Sequence, residues 1–453
     1  MKTLIKNGML IDPAAGVHAR LNLLLEDGRV AAVTTDTPQA DRVIDAAGRI
    51  VCPGFLDIHM HEDPVEPDGT LYRDAEKSIF RCMLRMGVTT AVAGNCGENQ
   101  YHPADYLDIV DRDGAAVNVA MLAGHGWFRT RVGAADKYAP ATPEQIDAMA
   151  DMIAESLKRG CIGVSYGIRY VPGMDERELR QTALPCAADG KVVAAHIRDD
   201  AEAVFAAARE FLDACAPLEV PLQVSHIGSM AGFGQMERFL TLVDAYRANG
   251  TEVLCDCYPY DAFSTGIGET TYDPGWLERY GCGYDVVELV EGKYKGQRCT
   301  KEIFDEMRAE HPEYMTICYV MQQEDVDLAF RHPGVMIGSD GTLSAGQGHP
   351  RAAGAFPRVL GRYVRAGKLP LDDAIARMTS MPAAQLGLER KGTLRVGADA
   401  DVVIFDAETI CDRATFDDNL VAPVGIDYVL IGGTVALDHG EVVRADAGRA
   451  VRR

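Results

Sequence analysis

The feature that most constrains this chain is a change of rhythm between its middle and its two ends. From about residue 55 to residue 390, short apolar runs alternate with stretches of helical periodicity. That pattern belongs to a parallel sheet whose strands are joined by crossover helices. Eight such runs are found, at 55–61, 89–95, 118–125, 163–168, 192–198, 221–228, 253–260 and 335–340. Helical segments follow most of them, among them 143–159 and 201–214. Eight is the number of strands at which this sheet closes into a (β/α)8 TIM barrel. Between the seventh and eighth runs lies a polar stretch rich in Tyr and Gly, roughly 270–312. It is too long for a plain connection and is expected to be an inserted subdomain or lid.

The ends read differently. Three β-like runs separated by Gly and Asp turn signals open the chain, TLIKNGMLID, LNLLLEDGRVAAVT and RVIDAAGRIVCPG. Similar runs return in ADVVIFD, IDYVLIGGTVAL and GEVVRAD. Residues 1–54 and 391–453 are therefore expected to pair into one small β-sandwich, with the barrel of 55–390 inserted between them. A length of 453 residues suits one large barrel plus a smaller domain.

The formal net charge is -22. Such a surface repels nucleic-acid phosphate and anionic lipid, which excludes both as natural partners. It leaves a small-molecule substrate, and it allows for an oligomer. An acidic substrate would need a local cationic pocket. The opening residues MKTLIKNGMLID hold no long apolar run and no small-residue cleavage site. No stretch is apolar enough to span a bilayer. The expected location is cytoplasmic, with the 12 cysteines reduced and mostly buried.

In a barrel of this kind the active site forms at the C-terminal ends of the strands. The first run ends in Asp57-Ile58-His59-Met60-His61. Residues two apart on a strand share a face, so His59 and His61 both aim into the barrel mouth. Two imidazoles there are a ready pair of zinc ligands, and only 11 histidines exist in the chain. The second run ends in Gly94-Asn95-Cys96-Gly97. Cys96 reads either as a thiolate ligand or as a buried free thiol. His196 and His226 end the fifth and sixth runs. Each alone reads as a core histidine, and together with His59 and His61 they read as a metal cluster. Asp340, before Gly341, reads either as a carboxylate that moves a proton beside the metal or as a turn cap.

Together these features resemble the amidohydrolase superfamily, and more closely its N-acyl-D-amino-acid deacylases, the D-aminoacylases. The segment Gly94-Asn95-Cys96-Gly97 is similar to their cysteine-ligand segment. So are Gly124-His125-Gly126 with Arg129, Tyr170-Val171-Pro172-Gly173, Tyr258-Pro259-Tyr260, and the run from His349 to Arg358. The stretch from Lys391 to Asp401 is similar to one shared widely across the superfamily. Some positions depart from the family pattern: Gly228 where a lysine is common, Asp200 where a glutamate is common, and Tyr166 where threonine is commoner.

The resemblance implies hydrolysis of a linear amide to a carboxylate and a free D-amino acid. It implies one tightly held Zn2+ at Cys96, His196 and His226, with His59, His61, Cys96 and Asp340 forming a second, weaker site. It implies Asp340 as the proton carrier. Arg351 would clamp the substrate carboxylate, helped by Tyr260, because a guanidinium matches a carboxylate with two parallel hydrogen bonds. Without the resemblance Arg351 reads as a solvated arginine at a helix start, and Tyr260 reads equally as a packed strand-end aromatic. Arg169 and Arg198 read either as partners of an acidic substrate side chain or as structural ion-pair members. Cyclic amidases, the hydantoinases and dihydroorotases, commonly bridge two metals with a carboxylated lysine, and no lysine ends the third or fourth run. The same superfamily also holds dipeptidases. A barrel that has lost catalysis and serves as a scaffold would usually lose metal ligands, whereas every expected ligand type is present here.

Overall fold

The structure, a computed structural model, describes residues Met1–Arg453. Its central sheet has eight parallel strands: Phe55–Asp57, Val88–Ala93, Asn118–Gly124, Gly163–Gly167, Val192–His196, Leu222–Val224, Val253–Cys257 and Val335–Ile337. They neighbour one another in chain order. The first and eighth meet just beyond their ends, where Met60 bridges Gly341 in parallel and Asp340 N donates to His59 O at 2.7 Å. This closes a (β/α)8 barrel.

Several strands stop short of the lengths expected from sequence. The sixth is only Leu222–Val224, because His226 leaves the pleat with φ 35. Residues that must aim at a common point cannot all keep strand geometry, which sends successive side chains to opposite faces.

The crossover helices form for local reasons. In Pro143–Lys158, Thr142 and Gln145 complete a reciprocal capping box, and Pro143 occupies the first turn, where no N–H partner is needed. Ile146, Met149, Ile153 and Leu157 recur at three- and four-residue spacing and are buried. Each buried side chain of this size contributes about 1.5–3 kcal/mol.

Each of the three opening runs folds into two strands rather than one: Lys2–Lys6 with Met9–Asp12, Asn22–Glu26 with Arg29–Thr34, and Arg42–Asp45 with Ile50–Pro53. Four of the six form one sheet. The others join the C-terminal strands in a seven-stranded sheet. There Ile50–Pro53 runs antiparallel to Val402–Phe405, in the register Pro53↔Val402 to Ile50↔Phe405. Ile5, Leu23, Leu25, Val402, Ile404 and Leu430 fill the space between the sheets. Both chain ends thus build one β-sandwich.

Beyond the seventh barrel strand, Phe263–Gly266, Val287–Leu289 and Met315–Cys318 make a separate antiparallel sheet. It reaches past both ends of the 270–312 stretch, because its first strand contributes the buried Phe263 and its central strand the buried Ile317. Rings of Tyr272, Trp276, Tyr284 and Phe304 pack within 5.1–5.6 Å of one another beneath it. No helix is long and apolar enough to cross a membrane. All 12 cysteines are free thiols, and all but Cys282 and Cys411 are buried.

Candidate metal centre

The strand ends bring together six of the eight residues singled out from sequence. His59 and His61 follow the first strand, and the contact with the eighth sets Asp340 beside them. Asp340 Oδ1 is 3.5 Å from His59 Nε2 and 3.4 Å from His61 Nε2. Cys96 follows the second strand on a loop of unusual shape. Cys96 has φ 53 and Gly97 φ 76, and a Cβ on Gly97 would lie 2.7 Å from Gly167 N. Only glycine satisfies both conditions. The Glu62 carboxylate clamps this loop on both sides, accepting from Gly94 N at 2.9 Å and Gln100 N at 2.8 Å. His226 and Asp340 also adopt positive φ, 35 and 48. Such strain in non-glycine residues persists only where the surroundings impose it, and it gathers at functional sites.

Two groups of donors result, His59, His61 and Cys96 in one and Cys96, His196 and His226 in the other, with the ligand atoms of each group within 4.8 Å of one another. Cys96 Sγ belongs to both. It lies 3.5 Å from His59 Nε2 and 3.4 Å from His226 Nε2. Donors on a tetrahedral zinc, with bonds of ~2.3 Å to sulfur and ~2.0–2.1 Å to nitrogen, stand ~3.5 Å apart. His196 is buried, and neither of its ring nitrogens has a hydrogen-bond partner. An imidazole with two orphaned nitrogens is costly to bury unless a cation fills the gap. The residues present therefore fit a zinc-like divalent cation.

Surrounding groups orient these side chains. Ser229 Oγ donates to His226 O at 2.9 Å, which leaves His226 Nδ1 to donate to Ser229 Oγ at 3.0 Å. That tautomer turns the Nε2 lone pair toward Cys96. Asp256 faces His59 Nδ1 at 3.3 Å and accepts from His226 N at 2.8 Å and Gln223 Nε2 at 2.7 Å. Asp57 accepts from Ser339 N at 2.9 Å and His59 N at 3.1 Å, tying the tips of the first and eighth strands. Its complete burial pushes its carboxyl up to about 7. Asp57, Asp256, Ser229 and Glu62 were not singled out from sequence.

The electrostatics favour positive charge at the centre. Burial opposes ionisation of Cys96, but His59 and His226 outweigh it and hold the thiol well below its ordinary value. Burial likewise works against the Asp340 carboxylate, yet Arg351 and His61 keep it well below the usual range. A thiolate and a carboxylate inside a ring of imidazoles hold positive charge, as protons or as a cation. His196 is the exception: burial, with His226 next, lowers it to about 4, which leaves it a neutral donor.

The cluster opens into a cavity of about 320 Å3 roofed by the inserted sheet through Phe263–Gly266 and Met315. Arg351 lines it, buried, with Nη1 2.9 Å from Asp340 Oδ2 and Nε without a partner. Its guanidinium lies 4.6 Å over the Tyr258 ring. Tyr260 stands outside the cavity. Its hydroxyl donates to Pro350 O at 3.4 Å, and Arg358 covers its ring at 4.3 Å. A substrate contact from Tyr260 would require the ring to leave that packing. Its place is behind the Pro350–Arg351 turn, which it supports. Arg169 and Arg198 are held in ion pairs, with Asp199 at 2.5 Å and Glu210 at 2.7 Å.

The amidohydrolase family model matches residues 42–280 and 306–437. The chain belongs to the amidohydrolase family. Among curated amidohydrolases, it is 33% identical to an N-acyl-D-glutamate deacylase of Alcaligenes xylosoxydans xylosoxydans, over 98% of this chain and 97% of that one. It is also 33% identical to a D-aminoacylase of the same organism, over 99% and 97%. A solved amidohydrolase structure, an N-acyl-D-glutamate deacylase from Bordetella bronchiseptica complexed with zinc and a phosphonate inhibitor, superposes with a TM-score of 0.88 at 31% identity, covering 100% and 99% of the two chains.

Proposed function

We propose that this amidohydrolase deacylates N-acyl-D-amino acids to a carboxylic acid and a free D-amino acid, with zinc held tightly by Cys96, His196 and His226. His59 and His61, with Cys96 and Asp340, offer a second and weaker place. The observation that carries this reading is the buried, partnerless Nε of Arg351 in the same cavity as the donor cluster. A metal cluster alone suits many hydrolases. A cluster facing a desolvated guanidinium suits an amide whose neighbouring carbon bears a carboxylate.

Zinc at such a donor set supplies Lewis acidity, which acidifies water and polarises an amide carbonyl. The chain's own groups do the rest. Arg351 receives the α-carboxylate and fixes the register of the substrate. Asp340 takes the proton of the attacking water and returns it to the leaving nitrogen as the C–N bond breaks. The Arg351 guanidinium keeps Asp340 ionised and ready to accept. The inserted sheet limits the water that can enter. The D hand is that of the relatives' substrates, and three fixed points, the carbonyl site, the carboxylate clamp and a wall for the side chain, would let the site tell one hand from the other.

Asp340→Asn tests the assignment. It should retain zinc, measured by elemental analysis, and lower kcat for an N-acetyl-D-amino acid roughly 10²–10⁴-fold. Ordinary turnover in that variant would remove Asp340 from the role. Equal cleavage of D and L substrates would remove the D preference.

A further inference from the structure

Taking the deacylase reading as its starting point, we infer that the preferred substrates carry a basic side chain, so that N-acyl-D-lysine and N-acyl-D-arginine are favoured and the D-glutamate and D-aspartate derivatives are disfavoured. The argument is one of charge. Arg351 is the only lysine or arginine lining the cavity, and the α-carboxylate occupies it. With that group at Arg351 and the amide at the donor cluster, the side chain on the same Cα must lie in the rest of the cavity. Besides Asp340, that remainder carries four carboxylates, Glu98, Asp200, Glu269 and Glu313.

Two of the four are matched. Asp200 has Arg279 Nε at 3.0 Å and accepts from Tyr280 Oη at 2.7 Å. Glu269 has Lys137 Nζ at 3.7 Å. The other cations near the wall are taken up as well: Arg169 pairs with Asp199, and Arg198 with Glu210. Glu98 and Glu313 have no lysine or arginine partner. The nearest basic groups are imidazoles, His61 Nδ1 at 3.9 Å from Glu98 and His311 Nδ1 at 3.3 Å from Glu313. Their side chains remain 61% and 66% exposed, but desolvation pushes the Glu98 carboxyl up to about 7, which leaves Glu313 as the open counter-charge at neutral pH. An ammonium or guanidinium gains a counter-charge there. A second carboxylate meets like charge, with no free cation to receive it. The protein's net charge of -22 acts in the same direction at longer range.

The test compares kcat/KM of the zinc-loaded enzyme for N-acetyl-D-lysine, its uncharged near-isostere N-acetyl-D-norleucine, and N-acetyl-D-glutamate. The lysine derivative should exceed the norleucine derivative roughly tenfold or more at low ionic strength, with glutamate the poorest. The lysine-to-norleucine ratio should fall toward one in about 0.5 M salt. It should fall again in Glu313→Gln. The substrate ratio and its salt dependence need no variant, so a misfolded variant does not remove the test. If norleucine is cleaved as well as lysine, or glutamate better than either, the inference is overturned and the deacylase reading stands. If none of the three is cleaved, both fall.

Discussion

Asp256 shows how much one side chain can carry at this site. Its carboxylate orients the His59 ring, holds the backbone of His226 in its left-handed turn, and is itself fixed by Gln223. Groups that orient metal-binding imidazoles in this way govern affinity nearly as strongly as the ligands do. Asp256→Asn keeps the shape but points an N–H2 at groups that need an acceptor. Its zinc affinity should fall about 10–100-fold, measured by competition with a chromophoric chelator. An unchanged affinity would reduce Asp256 to a packing residue. The donors were legible in the sequence because each sits at the end of an apolar run, as His59, His196 and His226 do. Asp256 was not legible, since it sits inside the run VLCDCYPY and its partners come from other strands. The positive φ of Cys96, His226 and Asp340 was hinted at only by their glycine neighbours, Gly97, Gly228 and Gly341.

At the level of elements, one buried knot ties two helices behind the site. Glu178, on Glu176–Ala183, accepts from Arg129 Nε at 2.8 Å and lies 2.9 Å from His125 Nε2. His125 and Arg129 both belong to His125–Arg131. Three more guanidinium hydrogens of Arg129 go to Ala134 O, Asp136 O and Ala139 O. Burial pushes the Glu178 carboxyl up, but His125 and then Arg129 outweigh it and hold it below the ordinary 4.5. A carboxylate depressed in the folded state stabilises the fold above its ordinary value and loses that effect as pH falls past it. Melting temperature should therefore decline as pH drops below about 4.5. Glu178→Gln should cost about 3–5 kcal/mol at pH 7, since it leaves Arg129 buried without its counter-charge, and should flatten the acid limb. Thermal melts of both proteins between pH 7 and pH 3.5 decide it, and parallel acid limbs would exclude Glu178 as their source. The paired strands inside each opening run escaped the sequence pattern for a related reason. Gly8, Gly28 and Gly48 each lie inside a run and divide it in two: the halves around Gly8 and Gly48 pair with different neighbours, whereas those around Gly28 fold back on each other as a hairpin.

Across the whole molecule, the barrel was legible because eight alternations of strand and helix leave few other ways to bury so many apolar runs. The joining of the two ends into a sandwich could be expected from their matching patterns, but its register depends on strands that lie far apart along the chain. The ladder between Ile50–Pro53 and Val402–Phe405 encloses the entire barrel as a single loop. Contacts of that separation are the slowest for a chain to find, because closing the loop costs entropy before any contact repays it. Recovery from denaturant should end at this seam, with the amide protons of Val402–Phe405 gaining protection after those of the barrel strands in pulse-labelled hydrogen exchange. Simultaneous protection would mean that the ladder forms along with the barrel. Until that seam shuts, an otherwise assembled barrel presents the bare edge of Ile50–Pro53 to any strand that reaches it first, so crowded refolding is where this protein is most exposed to pairing with a second copy of itself.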